Sequence, residues 1–312
     1  MADLAHEQPP ARRPFLAALL QNPVTVKELR SRMRGRRAFV VLTVYLLLMG
    51  LFITALYGLY RSASRQVFGP DPAQAGKVVY GAVLGIQVMI VVFLGPAFTA
   101  AAISGEKERQ TYDLLRTTLL PARALVSGKL VSALVYVFLL ILAALPLQSI
   151  AFLLGGVSLV ELVLSVLLVL VSAVTFALIG LYFSSQLRST LAASVTTFAS
   201  SLFLTLGIPA LVIALWLPFA STFMAPGPYR PWLELVAAYG GLALASINLP
   251  AAIVVSDIFL LQQDALFFWQ ETIGGRTVWL FSPWWVYTVV YSLLGLILFR
   301  ATVRRVQRVP KR

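Results

Sequence analysis

SGEKERQTYDLLRTTLLPARALVSGK, Ser104 to Lys129, is the longest polar interruption between two long apolar runs in this chain. Glu106, Lys107, Glu108 and Arg109 stand in a row within it. Hydrocarbon hosts no such block, so the stretch lies in water or at a membrane surface. Thr111 has the hydroxyl to cap a short helix by accepting a bond from an otherwise unpaired backbone N–H. Asp113 then falls in the first turn, where the helix dipole favours an acid. Leu114, Leu115 and Leu119 give that one- to two-turn helix an apolar edge. Displayed outside the membrane, such an edge lies on lipid, docks in another protein or packs on the chain's own helices.

The runs on either side set the class. Of 312 residues, 59% are hydrophobic and 12% charged, with mean hydropathy +0.87. A soluble domain of this size cannot cover itself with so few charges, so the fold class is an all-α membrane protein. The apolar runs are continuous rather than alternating, which excludes a β-barrel. The absence of cysteine excludes disulfides, thiolate metal sites and cysteine catalysis. A net charge of +13 raises nucleic acid as a partner, but the charges flank apolar runs, where they set topology and meet anionic lipid. No nucleic acid is expected. Residues 1–37 precede the first run, which is too long for the apolar core of a cleavable signal.

Upstream of the opening stretch, residues 1–37 form an amino end that starts polar and proline-bearing. Val26, Leu29 and Met33 then make an apolar stripe at helical spacing, and Lys27, Arg30, Arg34 and Arg37 make a basic flank. That pattern reads either as an amphipathic helix in the membrane interface or as a plain basic anchor. The region 38–299 forms one transmembrane domain of about six helices, near 38–60, 78–103, 130–154, 158–183, 191–217 and 278–299. Pro96 and Pro146 fall inside the second and third, and Gly155-Gly156 makes a tight turn after the third. Residues 233–268 are apolar but broken by Gly240-Gly241, Asn248, Pro250, Asp257 and Asp264. They read as an external re-entrant helical hairpin, because a seventh span would put the basic tail 300–312 outside. With both ends cytoplasmic, twenty of the 25 Lys and Arg lie in 1–37, 104–129, 184–190 and 300–312, in accord with the positive-inside rule.

NPVTVKELRSRMRGRRAF before the first span and GEKERQTYDLLRTTLLPARALVSGKL after the second together resemble the ABC-2 family of ABC transporter permease subunits. In that family an interfacial elbow helix precedes the first span. A Glu-containing loop with Thr-x-x-Leu-Leu follows the second as a coupling helix, and a Gly-Lys pair opens the third. The matching positions here are Glu106, Thr111, Leu114, Leu115, Gly128 and Lys129. Members often carry Thr-Pro after the leucines; this chain has Thr118-Leu119, with its proline at Pro121. The family's six spans and external hairpin resemble the order above. The resemblance implies that the loop docks in a separate ABC ATP-binding subunit, which carries ATP and Mg. Leu114, Leu115 and Leu119 would be buried anchors, and Glu106 and Arg109 charged partners at the rim. It also implies an elbow helix bearing Lys27, Leu29, Arg30, Met33 and Arg34, a second permease copy or homologue beside lipid, export as the direction, and residence in the cell membrane.

The remaining side chains bound the chemistry. Walker A needs Gly-x4-Gly-Lys-Ser/Thr; around Gly128-Lys129, Arg123 replaces the first Gly and Leu130 the Ser/Thr. No cofactor is expected on this chain. One histidine, His6, and scattered acids give no metal motif, and the serines have no partner histidine for a catalytic triad. Glu161, Asp257 and Asp264 are costly in hydrocarbon and fall near the external interface, as a gate or as solvated structural acids. Asp257 and Asp264 share a face if their segment is helical, and Glu161 suits a helix start. Ser and Thr of the fifth span (Ser194, Thr196, Thr197, Ser200, Ser201, Thr205) either line a path or pack helices. Trp216, Tyr229, Trp232, Trp279, Trp284, Trp285 and Tyr287 read as interface markers. Rival functions are an ATP-independent secondary transporter or channel, which needs a mid-membrane ion site, and an intramembrane enzyme built on Asp257, Asp264 and Glu271.

Overall fold

The computed structural model describes residues 25–28, 36–64, 71–112, 121–223, 231–263, 265–273 and 276–307. Its helices are α1 (Arg36–Ser64), α2 (Pro72–Thr99), the short α3 (Ser104–Glu108), α4 (Ala122–Leu153), α5 (Leu159–Gln186) and α6 (Thr190–Leu202). A wide π turn, Phe203–Gly207, joins α6 to α7 (Ile208–Phe223). Two short helices follow, α8 (Pro231–Ala245) and α9 (Leu249–Gln263), then strands β1 (Phe268–Ile273) and β2 (Arg276–Phe281), and finally α10 (Pro283–Gln307). Among the described residues, six helical segments are long and apolar enough to cross a membrane.

Several boundaries differ from the sequence reading, each for a local reason. The second span begins at Pro72 rather than near Val78, because the Asp71 carboxylate accepts from Ala73 N at 3.0 Å and Pro72 supplies a helical φ at the first position. The third begins at Ala122, directly behind Pro121. The last begins at Pro283 rather than Val278. Residues 276–281 instead pair with 268–273 as an antiparallel ribbon, with Trp269 opposite Leu280 and Glu271 opposite Val278. Asp71, Gly155-Gly156 and this ribbon lie toward one end of the bundle; α3 and the α5–α6 link lie at the other. We call these the ribbon end and the α3 end.

Lipid tails are as apolar as Leu, so helix association in a membrane relies on close packing and hydrogen bonds. α2 and α5 supply both. Gly180 lets α5 approach α2 so closely that a Cβ there would stand 2.1 Å from Thr99 Oγ1. At the ribbon end, Gly155 takes φ +77° in the turn, and a Cβ on Gly156 would meet Ala73 O at 2.2 Å. The core between α2, α4, α5 and α10 holds Val91, Val137, Ile141, Val169 and Phe176, all buried. Within it Gln148 Nε2 donates to Gln87 Oε1 at 3.0 Å, a bond between two fully buried side chains.

Tyr287 is not an interface marker. It is fully buried, stacks on Tyr291 with centroids 4.0 Å apart, and shares a 2.7 Å hydrogen bond with Ser172. Trp232 and Trp279, by contrast, are both 60% exposed. Trp216 and Tyr229 have side chains outside the described residues. The fifth-span hydroxyls of Thr197, Ser200, Ser201 and Thr205 each donate to the carbonyl four residues back, so they serve their own helix.

α8 and α9 have 15 residues each, about 22 Å of helix and well short of the spans. Their connection reaches into the bundle. Asn248 donates to carbonyls of the π turn, and Tyr291 Oη donates to Ile247 O at 2.7 Å.

Candidate functional site

At the α3 end the charged row of the opening stretch is wired into the bundle residue by residue. α3 needs partners for its first N–H groups, and its N-cap residue Ile103 has no side-chain acceptor. Ser184 near the end of α5 fills the gap: its buried hydroxyl accepts from Ile103 N at 2.9 Å and Ser104 N at 3.0 Å. The helix then closes on Gln110, a non-glycine residue at φ +57°. That left-handed residue ends the turn much as glycine does at a helix C-terminus.

Three consecutive side chains leave α3 in three directions. Glu106 turns to α4, where its Oε1 sits 2.6 Å from Lys129 Nζ. Lys107 turns to the carboxyl end of α5 and donates to the carbonyls of Ser185 and, at 3.2 Å, Leu187. Those carbonyls carry the negative end of the helix dipole, where a cation is favoured. Glu108 turns to the amino end of α6. Its two oxygens accept from Thr190 N at 2.7 Å and Thr190 Oγ1 at 2.9 Å, which caps a helix whose own N-cap residue, Ser189, makes no side-chain cap. One short helix thus holds the ends of three spans.

Lys129 extends the node. It is 3% exposed, donates to Ala102 O at 2.8 Å, and lies 3.3 Å from Glu28 Oε1. Glu28 belongs to the short helical stretch 25–28 before the first span, and it also accepts from Ser132 Oγ at 2.5 Å. Burying an ammonium is costly unless it is paired and hydrogen-bonded, and here two carboxylates and a carbonyl surround it.

The sequence-predicted residues fall out as follows. Glu106, expected with Arg109 at the rim of a partner's cleft, turns its Oε1 to Lys129. Arg109 is exposed. Thr111 Oγ1 donates back to Glu106 O at 3.3 Å. Leu114, Leu115 and Leu119 lie outside the described residues, as do Leu29, Arg30, Met33 and Arg34 of the amino-end stretch. Lys27 is exposed on the 25–28 turn. Sequence reasoning passed over Glu28, Lys107, Glu108, Ser184 and Thr190. Lys129 was visible only as part of a Gly-Lys pair.

Toward the ribbon end, Glu161 closes a reciprocal cap on α5: its N–H donates to Ser158 Oγ at 3.2 Å, and its carboxylate accepts from Ser158 N at 3.3 Å. The structure brings Asp257 of α9 to the same place. Both carboxylate side chains line a small pocket together with Tyr80 and Ser165. Tyr80 Oη donates to Glu161 O at 3.0 Å. Asp264 lies outside the described residues. Among the described residues, no three His, Cys, Asp or Glu side chains gather in a way that could hold a metal ion.

The family model described as ABC-2 family transporter protein matches residues 23–301, which takes in the 25–28 turn, the node, the first five long helices and most of the sixth. No curated protein matches the chain. With a multi-pass helical bundle and a match over nearly its whole length, the chain belongs to the ABC-2 family of transporter proteins.

Proposed function

We propose that this permease forms the membrane path of an ABC transporter and takes its power stroke from a separate ATP-binding subunit through α3 and the loop that follows it. The observation that supports this reading is the node. A push on residues 104–120 reaches α4 through Glu106–Lys129, α5 through Lys107 and α6 through Glu108, all by short charged contacts. Stiff helices then carry the movement as rigid bodies. Leu114, Leu115 and Leu119 would be the anchors in the ATPase cleft, with Arg109 at its rim.

Charge supports the orientation. The α3 end holds the basic segments, so it faces the cytoplasm together with both chain ends, and α8, α9 and the ribbon face outward. The two short helices then form a re-entrant hairpin whose tip is buried in protein, where irregular backbone at membrane depth is tolerated. α1 supports a second copy: only 6% of its apolar window is covered within the chain, against 56% for the second and fourth spans. Export is proposed on the family resemblance.

The test is co-purification from mildly solubilised native membranes. An ATP-binding subunit is expected with the wild type and lost with Leu114→Asp/Leu115→Asp. Substrate transport that persists without ATP would instead favour a secondary transporter.

A further inference from the structure

The fifth span carries a flaw with a specific cause and a specific repair. Ile208 N donates five residues back, to Phe203 O, rather than four. The carbonyl it forgoes is Leu204 O. The next residue is Pro209, which has no N–H, so Thr205 O also lacks its helical donor. Two adjacent carbonyls are thus left open inside the bundle, where each unsatisfied group is costly. Asn248 supplies two donors: its Nδ2 lies 3.1 Å from Leu204 O and 2.9 Å from Thr205 O. The same side chain's Oδ1 accepts from Ala251 N at 3.1 Å and so caps α9. Asn248 is 2% exposed, and Tyr291 secures the residue before it through Ile247 O.

We infer that Asn248 is a positioning residue: the tip of the α8–α9 hairpin holds a one-residue bulge open in the fifth span and thereby sets the rotation of the span's outer half. The element has two arrangements. With the tip docked, both carbonyls are served by Asn248 and the turn stays wide. With the tip withdrawn, Ile208 N can return to Leu204 O, which leaves Thr205 O as the single open group. Closing the bulge advances Ile208 and the rest of α7 by one residue relative to α6, a turn of about 100° and a shift of about 1.5 Å. Single π bulges of this kind frequently mark functional sites in helices. In the permease, movement of the external hairpin would therefore change which face of the fifth span meets its neighbours. That use rests on the permease reading; the bulge itself does not.

The chain has no cysteine, so single nitroxide labels can be placed at 208–214 in the full-length protein in lipid. Oxygen accessibility along this stretch gives the rotational phase of α7. Asn248→Ser keeps an oxygen to cap α9 but lacks the amide donors. The expected result is a phase advance of about 100° in Asn248→Ser. Pro209→Ala restores the donor for Thr205 O, so in that background the closed turn leaves no carbonyl open and Asn248→Ser is expected to give the same advance. An unchanged phase in Asn248→Ser overturns the inference, in either background. If Asn248→Ser does not fold, rescue of folding by Pro209→Ala supports the inference and failure of rescue overturns it. The profile does not depend on ATP or substrate, so loss of the ATPase in the co-purification test would leave this result standing.

Discussion

Lys129 and Glu161 illustrate how single residues are tied down near the two ends of the bundle. The Lys129 ammonium has exchanged water for Glu106, Glu28 and Ala102 O, so each partner matters to the other. Lys129→Met is expected to cost about 3 kcal/mol, because it leaves two carboxylates facing each other with no cation between them; thermal unfolding in detergent checks this. Glu106→Gln should cost less, since an amide oxygen can still accept from Lys129. Ser158→Ala removes the hydroxyl that caps α5 and should cost about 1 kcal/mol.

Among the elements, backbone meets backbone where α2 starts against the turn after α4. Gly156→Ala would drive a Cβ into Ala73 O, a backbone atom that cannot swing away. The expected cost is about 2 kcal/mol, read as a lowered midpoint of thermal unfolding. The six long helices were legible in the sequence because unbroken apolar runs of that length have few other uses, and Gly155-Gly156 announced its turn. The ribbon was missed although its signal was present: FWQETI and RTVWLF flank the dipeptide Gly274-Gly275, a sequence that favours a hairpin between β-forming runs. Apolar content drew Val278 into the last span and hid the strand. The node was illegible for a different reason. Lys107 binds backbone carbonyls of Ser185 and Leu187, and Glu108 binds the start of α6 through Thr190 N. Backbone groups leave no mark in sequence, so a row of charges read as a solvated loop. Asn248 was visible only as a break in an apolar run, and its link to Pro209 needed the fold.

For the molecule as a whole, the node gathers the α3 end into one unit, while α1 stands apart with most of its surface uncovered. If a second copy covers α1, a single cysteine at the exposed Leu48 or Leu51 should form a disulfide-linked dimer on mild oxidation in membranes. The buried Met49 should not. The most direct measurement concerns transmission. A spin label at Leu191, 74% exposed at the start of α6, reports the distance between copies in the complex with its ATP-binding subunit. Addition of a non-hydrolysable ATP analogue is expected to change that distance in the wild type. In Lys107→Ala/Glu108→Ala, with the ATPase still bound, the change should vanish, because α3 no longer holds α5 and α6. The same change in both proteins would contradict the node as the route of coupling.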